Sequence, residues 1–211
     1  MVTGLMLMLP EPNTRSTPAD YNHVTERSWQ LERNASGVKS YVRWIEVSET
    51  QKVRERMGTM EVDCSVDDVL RLLTDFKRTE LWMAGIKENY SLKQISGSEW
   101  YAYTLFDIPW PFEKRDLVSN FKVVQADKSN YTIININSKD HYIPEKSNIN
   151  RVTDYTAKWI IAGTSQHKAS VSFSAFAVAA PLFPKYIMDP IMVRMFHNNL
   201  VNLKELLEAE N

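Results

Sequence analysis

The spacing of apolar and polar residues changes period several times along this chain, and each change predicts an element. In "DYNHVTERSWQLERN", Val24, Ser28 and Leu31, with Trp29 beside them, recur at helical spacing, and Asp20 can serve as N-cap, which predicts a helix over Asp20 to Asn34. Gly37 in "SGV" then breaks that pattern. Two extended segments follow: the alternating "VKSYVRWIEV", and Val53 to Asp63, which Met57 and Gly58 interrupt. The next stretch, "CSVDDVLRLLTDF", returns to helical period, with Ser65 at a capping position, Asp68 three residues on, and Val66, Val69, Leu70 and Leu73 on one face.

From there the period is again two. Lys87 to Ser96, Glu99 to Phe106, Arg115 to Ala126 and Tyr131 to Ser138 read as strands, and the turns "SGSE" and "ADKSN" make neighbours antiparallel. The polar connection "DHYIPEKSNIN" leads to two more strands, "RVTDYTAKWIIAG" and "KASVSFSAFAVAA", around "GTSQH". The final segment carries Ile187, Met188, Ile191, Met192, Met195, Phe196, Leu203, Leu206 and Leu207 at helical spacing. Pro190 is tolerated in its first turn and otherwise kinks it.

This order predicts an α+β architecture in which a curved antiparallel sheet wraps around a long C-terminal helix, the one long amphipathic element able to cover its apolar face. Incomplete packing between the two would leave an apolar space able to hold a hydrophobic ligand. The loop "IPWPF" fits such a space. Pro109 and Pro111 prevent it from continuing a central strand, and Trp110 and Phe112 require an apolar surface to lie against.

Composition narrows the function classes. With 211 residues, 44% hydrophobic and 24% charged, the chain has an ordinary globular balance; the expected division is a leader over 1–19 and one domain over 20–211. A net charge of −1, without a basic stripe, argues against nucleic acid as a partner. One cysteine, Cys64, makes neither a disulfide framework nor a metal cage, and the four histidines have no paired spacing for zinc. No glycine-framed serine or glycine-rich phosphate cradle is present, so neither catalysis nor a cofactor is expected. The N-terminal "MVTGLMLMLPEP" resembles a signal segment but lacks a basic flank and a clear cleavage site, so the expectation is cytoplasmic, with export left open. Asn-x-Ser/Thr triplets at Asn34, Asn89 and Asn130 would matter only in a glycosylating pathway.

Several stretches, in order, resemble a START domain, the StAR-related lipid-transfer branch of the helix-grip fold. They are Trp29, "SGVKSYVR", "VLRLLTDF" followed by Trp82, "IPWPFEKRDLV", Arg151 before Trp159, and "PLFPKYI" opening the terminal helix. The resemblance implies a sheet gripping the C-terminal helix around a tunnel for one lipid or sterol-like molecule, closed by that helix and the 107–114 loop. The protein is expected to be a non-enzymatic monomer, with transient membrane contact left open. The resemblance also promotes ordinary core candidates to ligand contacts: Tyr103, Leu105, Trp110, Leu117, Ser119, Phe121, Tyr155, Trp159, Phe173, Met188, Met192 and Met195.

One position departs from the pattern. Several START domains carry a second arginine six residues after the Arg-Asp pair; here it is Phe121, which shares a strand face with Arg115, Leu117 and Ser119. A ligand with little charge is therefore favoured, unless Arg43, Arg151 or Arg194 supplies a cation. Arg115 and Asp116 are expected to pair and cap at the strand start. Two other readings stay open: a cyclase or hydrolase using the same cavity, and a protein-interaction module whose cavity is filled by side chains.

Overall fold

In the computed structural model the described residues are 28–107, 113–125, 131–178 and 185–210, the side chains of 185–188 excepted. The chain opens with an antiparallel hairpin, β1 (Gln30–Ala35) and β2 (Val38–Glu46), followed by β3 (Lys52–Val62). The helix predicted over Asp20 to Asn34 is thus corrected at residues 30–34, while 20–27 lie outside the described residues. The cause is local: Ser36 and Gly37 both hold positive φ, 51° and 73°, which builds a two-residue hairpin turn and leaves the chain before it extended.

Helix α1 (Val66–Thr74) starts as its sequence predicts. Ser65 accepts from the Asp68 backbone N–H and Asp68 bonds back to the Ser65 N–H, a complete capping box that fixes the helix start. Val69, Leu72 and Leu73 are buried. A 3-10 helix, Phe76–Leu81, follows and leads into the meander β4 (Ile86–Ser96), β5 (Glu99–Phe106), β6 (Arg115–Gln125) and β7 (Tyr131–Ser138). After the short β8 (Asn150–Arg151) come β9 (Tyr155–Ser165), β10 (Lys168–Ala177) and the terminal helix α2 (Lys185–Ala209). The sheet order is β1-β2-β3-β10-β9-β7-β6-β5-β4, antiparallel throughout, with β8 running parallel beside β6.

The inner face of the sheet carries the main core. Leu200, Leu203 and Leu207 of α2 are buried there with Val38, Met60 and Val62. An aromatic chain spans the space between layers: Trp82 meets Trp159 edge-on at 6.1 Å, Trp159 stacks on Phe173 at 4.2 Å, and Phe173 stacks on Phe196 of α2 at 5.8 Å. Polar stitches complete the docking of α2. The Ala84 N–H donates to Asn199 Oδ1 at 3.0 Å, Asn202 Nδ2 donates to the Trp82 carbonyl at 3.3 Å, and Lys204 Nζ donates to the Glu61 carbonyl at 2.7 Å.

The outer face over β5 and β6 has its own small core of Tyr103, Leu105 and Val118, against which Leu92, Ile143 and Ile149 pack. The 139–151 connection is held over it by Arg151. The guanidinium grips Asp116 with two bonds of 2.7 and 3.0 Å and donates to the carbonyls of Asp140, Ile143 and Pro144. Both partners are buried, which makes the pair a structural clamp that keeps the connection in place.

Gly58 sits where α2 comes closest to the sheet: a Cβ there would lie 2.0 Å from Leu200 Cδ1 and 3.4 Å from Phe196 Cε1. Gly58→Ala is expected to destabilise by about 1–3 kcal/mol through overpacking. Gly97→Ala, with nothing within 4 Å of the added carbon, is the neutral control. Urea unfolding of both variants checks this, and equal midpoints would refute the close seat of the helix.

His197 of α2 is buried beneath β2, its Nδ1 2.8 Å from Ser40 Oγ. Burial, reinforced by the nearby Arg33 charge, holds its imidazole below the ordinary histidine range, although the Ala35 carbonyl acts in the opposite sense. The unfolded chain therefore takes up a proton near pH 6.5 that the folded chain refuses, so this contribution to stability is intact above about pH 6.5 and is lost as pH falls below it. Unfolding midpoints at about pH 7.5 and 5.5 should drop more for the native chain than for His197→Gln. Parallel losses in the two proteins would assign the acid sensitivity to other groups.

Candidate functional site

Strand register decides which side chains can meet on the inner face. Thr104 pairs with Leu117 across β5 and β6, and Phe121 pairs with Ile136 across β6 and β7, which in turn pairs with Ala157 of β9. Alternate residues along each strand share a face, so Thr104 and Phe106 project with Leu117, Ser119, Phe121 and Ile136. Together with Leu73 of α1, Phe76 and Thr79 of the 3-10 helix, and Met83, these side chains line a cavity of about 80 Å³. Ile86 and Asn89 of β4, Tyr155 of β9 and Phe173 of β10 complete the described lining.

The walls are held by aromatic contacts. Phe121 meets Phe76 edge-on at 5.5 Å and stacks with Trp100 at 5.9 Å. No described lining residue carries a charge. Its polar members divide into two groups. Asn89 Nδ2 donates to Thr79 Oγ1 at 2.9 Å and to the Phe76 carbonyl at 3.2 Å, while Thr104 Oγ1 donates to Asn89 Oδ1 at 2.9 Å. Those three side chains satisfy one another and fix the 3-10 helix to the sheet. Ser119, by contrast, is 1% exposed and its Oγ has no hydrogen-bond partner among the described residues. Burial in these surroundings raises the Tyr155 phenol well above the ordinary tyrosine range, so it stays neutral.

Of the twelve candidates named from the sequence, Leu117, Ser119, Phe121, Tyr155 and Phe173 come together around this cavity. Tyr103 and Leu105 are turned to the outer face, where they form the small core described above. The physical reason is that β5 is buried on both sides, so a period-two pattern cannot say which set of side chains faces inward. Trp159 is buried in the main core between Trp82 and Phe173. Met192 is 36% exposed and Met195 half-buried, and neither is among the described lining residues, while α2 packs on β1, β2, β3 and α1. Trp110 and the side chain of Met188 lie outside the described residues, as do residues 108–112 of the 107–114 loop.

The possible cations are placed elsewhere. Arg43 pairs with Glu55 at 2.7 Å and lies over the Trp29 ring, Arg151 is committed to Asp116, and Arg194 is exposed. Sequence reasoning missed Leu73, Phe76, Thr79, Met83, Ile86, Asn89, Thr104, Phe106 and Ile136 as lining. Hairpin register could have found Thr104 and Phe106, since a partner strand with Leu117 inward forces Thr104 inward too. Among the described residues, no group of three His, Cys, Asp or Glu side chains is placed to hold a metal ion, and no helix is long and apolar enough to cross a membrane.

No family model matches the sequence. A relative from Pseudomonas aeruginosa, the uncharacterized protein PA1579, is 25% identical over 181 residues, covering 85% of this chain and 87% of the relative. Among solved structures, a StAR-related lipid transfer protein fragment from Xanthomonas axonopodis matches with a TM-score of 0.75 at 24% identity, over 85% of this chain and 98% of the fragment. Human StAR-related lipid transfer protein 5 also gives 0.75, at 15% identity and with 90% of each chain covered. Human STARD10 gives 0.66 at 17% identity, over 83% of this chain and 73% of the other. With so much of both chains superposed, this chain has the helix-grip fold of the StAR-related lipid transfer domains.

Proposed function

We propose that the protein is a non-enzymatic binder or carrier of a hydrophobic small molecule, lipid or sterol-like, taken up on the inner face of the sheet. The observation that carries this reading is the cavity beneath α1 and the 3-10 helix, bounded by apolar and uncharged side chains from eight elements of the fold. Such a wall rewards removal of apolar surface from water, at about 25 cal/mol per Å², and offers no charge to orient a reaction. The names of the solved relatives support the same class of ligand.

At about 80 Å³ the cavity is smaller than the roughly 300–1,000 Å³ of typical small-molecule pockets, so uptake requires its wall to move. The movable part is the segment around Phe76 to Ala84, which lines the cavity and is bonded to α2 through Asn199 and Asn202. Opening that segment would admit the guest, and its return would exclude water. The same small volume favours a second reading, in which side chains fill the space and the domain binds a protein partner on an outer face.

Native mass spectrometry of the purified protein separates the two. A bound apolar species is expected on the native chain, with occupancy at least halved in Leu117→Phe, which fills the cavity, and unchanged in Met192→Trp, which does not reach it. A consistently empty native chain that also takes up no added lipid would establish the filled-cavity reading.

A further inference from the structure

Buried hydroxyls without partners are uncommon, because a desolvated donor and acceptor lose their hydrogen bonds to water with nothing in return. Among the described residues Ser119 is such a group, and it stands in the cavity wall. Alanine or valine would fill the same place on β6 without that cost. The neighbouring polar side chains do not explain the serine, since Asn89, Thr79 and Thr104 already satisfy one another.

Ser119 is also one end of a polar row across three strands. It pairs with Ser138 of β7, and the Ser138 hydroxyl accepts the Tyr155 backbone N–H at 3.2 Å. Tyr155, at the far end of the row, again lines the cavity. The remaining walls near this row, Leu117, Phe121 and Ile136, are apolar.

We propose that Ser119 Oγ, assisted by the Tyr155 phenol, anchors the polar end of an uncharged amphiphile, a molecule bearing a hydroxyl or carbonyl group on an apolar body. This rests on the hydrophobic-ligand reading above and specifies which ligands it favours. A hydroxyl or carbonyl can exchange a hydrogen bond with the serine, restoring what burial removed. A carboxylate or phosphate would shed its hydration among apolar walls with no described cation to compensate. Burial supports the same assignment at Tyr155 by keeping the phenol a neutral donor.

The test uses the full chain and three probes of equal length, 1-octanol, octane and octanoate, titrated at pH 8 while backbone amide shifts are followed by NMR. Ser119→Ala should weaken 1-octanol by about fivefold to tenfold while leaving octane unchanged. Octanoate should bind the native chain more weakly than 1-octanol. The ligand-free Ser119→Ala chain should unfold no earlier than the native one, because the change removes a hydroxyl with no partner among the described residues. Tyr155→Phe provides a second variant with a smaller loss for 1-octanol only.

If Ser119→Ala weakens octane and 1-octanol alike, or neither, the anchor is refuted while hydrophobic binding stands. A marked loss of stability in the unliganded variant would likewise refute it, by revealing a structural partner for the hydroxyl. Octanoate binding as tightly as 1-octanol would overturn the restriction to uncharged ligands. Failure of all three probes to bind the native chain would instead count against the hydrophobic-ligand reading itself.

Discussion

Side-chain alternation along β6 is the constraint on which the rest of the structure depends. One strand sends Leu117, Ser119 and Phe121 inward and Asp116 and Val118 outward, and all five are at least half-buried. The inward set builds the cavity wall. The outward set anchors the second core and, through Asp116, the clamp on Arg151. A shift of one residue in the pairing with β5 would exchange the two environments, placing a carboxylate in the apolar cavity and Leu117 against a guanidinium. Register is therefore strongly specified here.

The two faces handle polarity in opposite ways. On the outer side, charge is buried but fully engaged, with the Arg151 guanidinium spread over a carboxylate and three carbonyls. On the inner side charge is absent from the described cavity wall, and polarity is reduced to hydroxyls and one amide. The docking of α2 belongs with this arrangement. Gly58 lets Leu200 into the sheet, and Asn199 and Asn202 tie the helix to the segment that lines the cavity. Helix and lining segment thus form one mechanical unit.

Much of this was legible in the sequence. The strands from Glu99 to Phe106 and from Tyr131 to Ser138 were readable in full, because period-two patterning is bounded there by turn residues. The capping box at Ser65 announced α1. Two things were not legible. The N-terminal hairpin was hidden because Leu31 and its neighbours alternate weakly on an exposed edge strand, where helical spacing arises as easily. The inward face of β5 was hidden because both of its faces are buried, so the choice between Tyr103 and Thr104 is made by a partner strand and not by the strand's own residues. The unpartnered state of Ser119 is likewise a property of its neighbours, beyond what a serine in "RDLVSNF" can disclose.

The pairing of β3 with β10 carries a last implication, for the time course of folding. It brings Val62 to Ala169 and Arg56 to Ala175, whereas nearly all other ladders join strands close in sequence. Loop-closure entropy makes such distant pairing late, and high contact order makes it slow. During synthesis the hairpin of β1 and β2 with β3 must wait, one edge unpaired, until β10 has left the ribosome. That interval is when the nascent protein is most exposed to aggregation, and its length is set by where in the chain the final strand was placed.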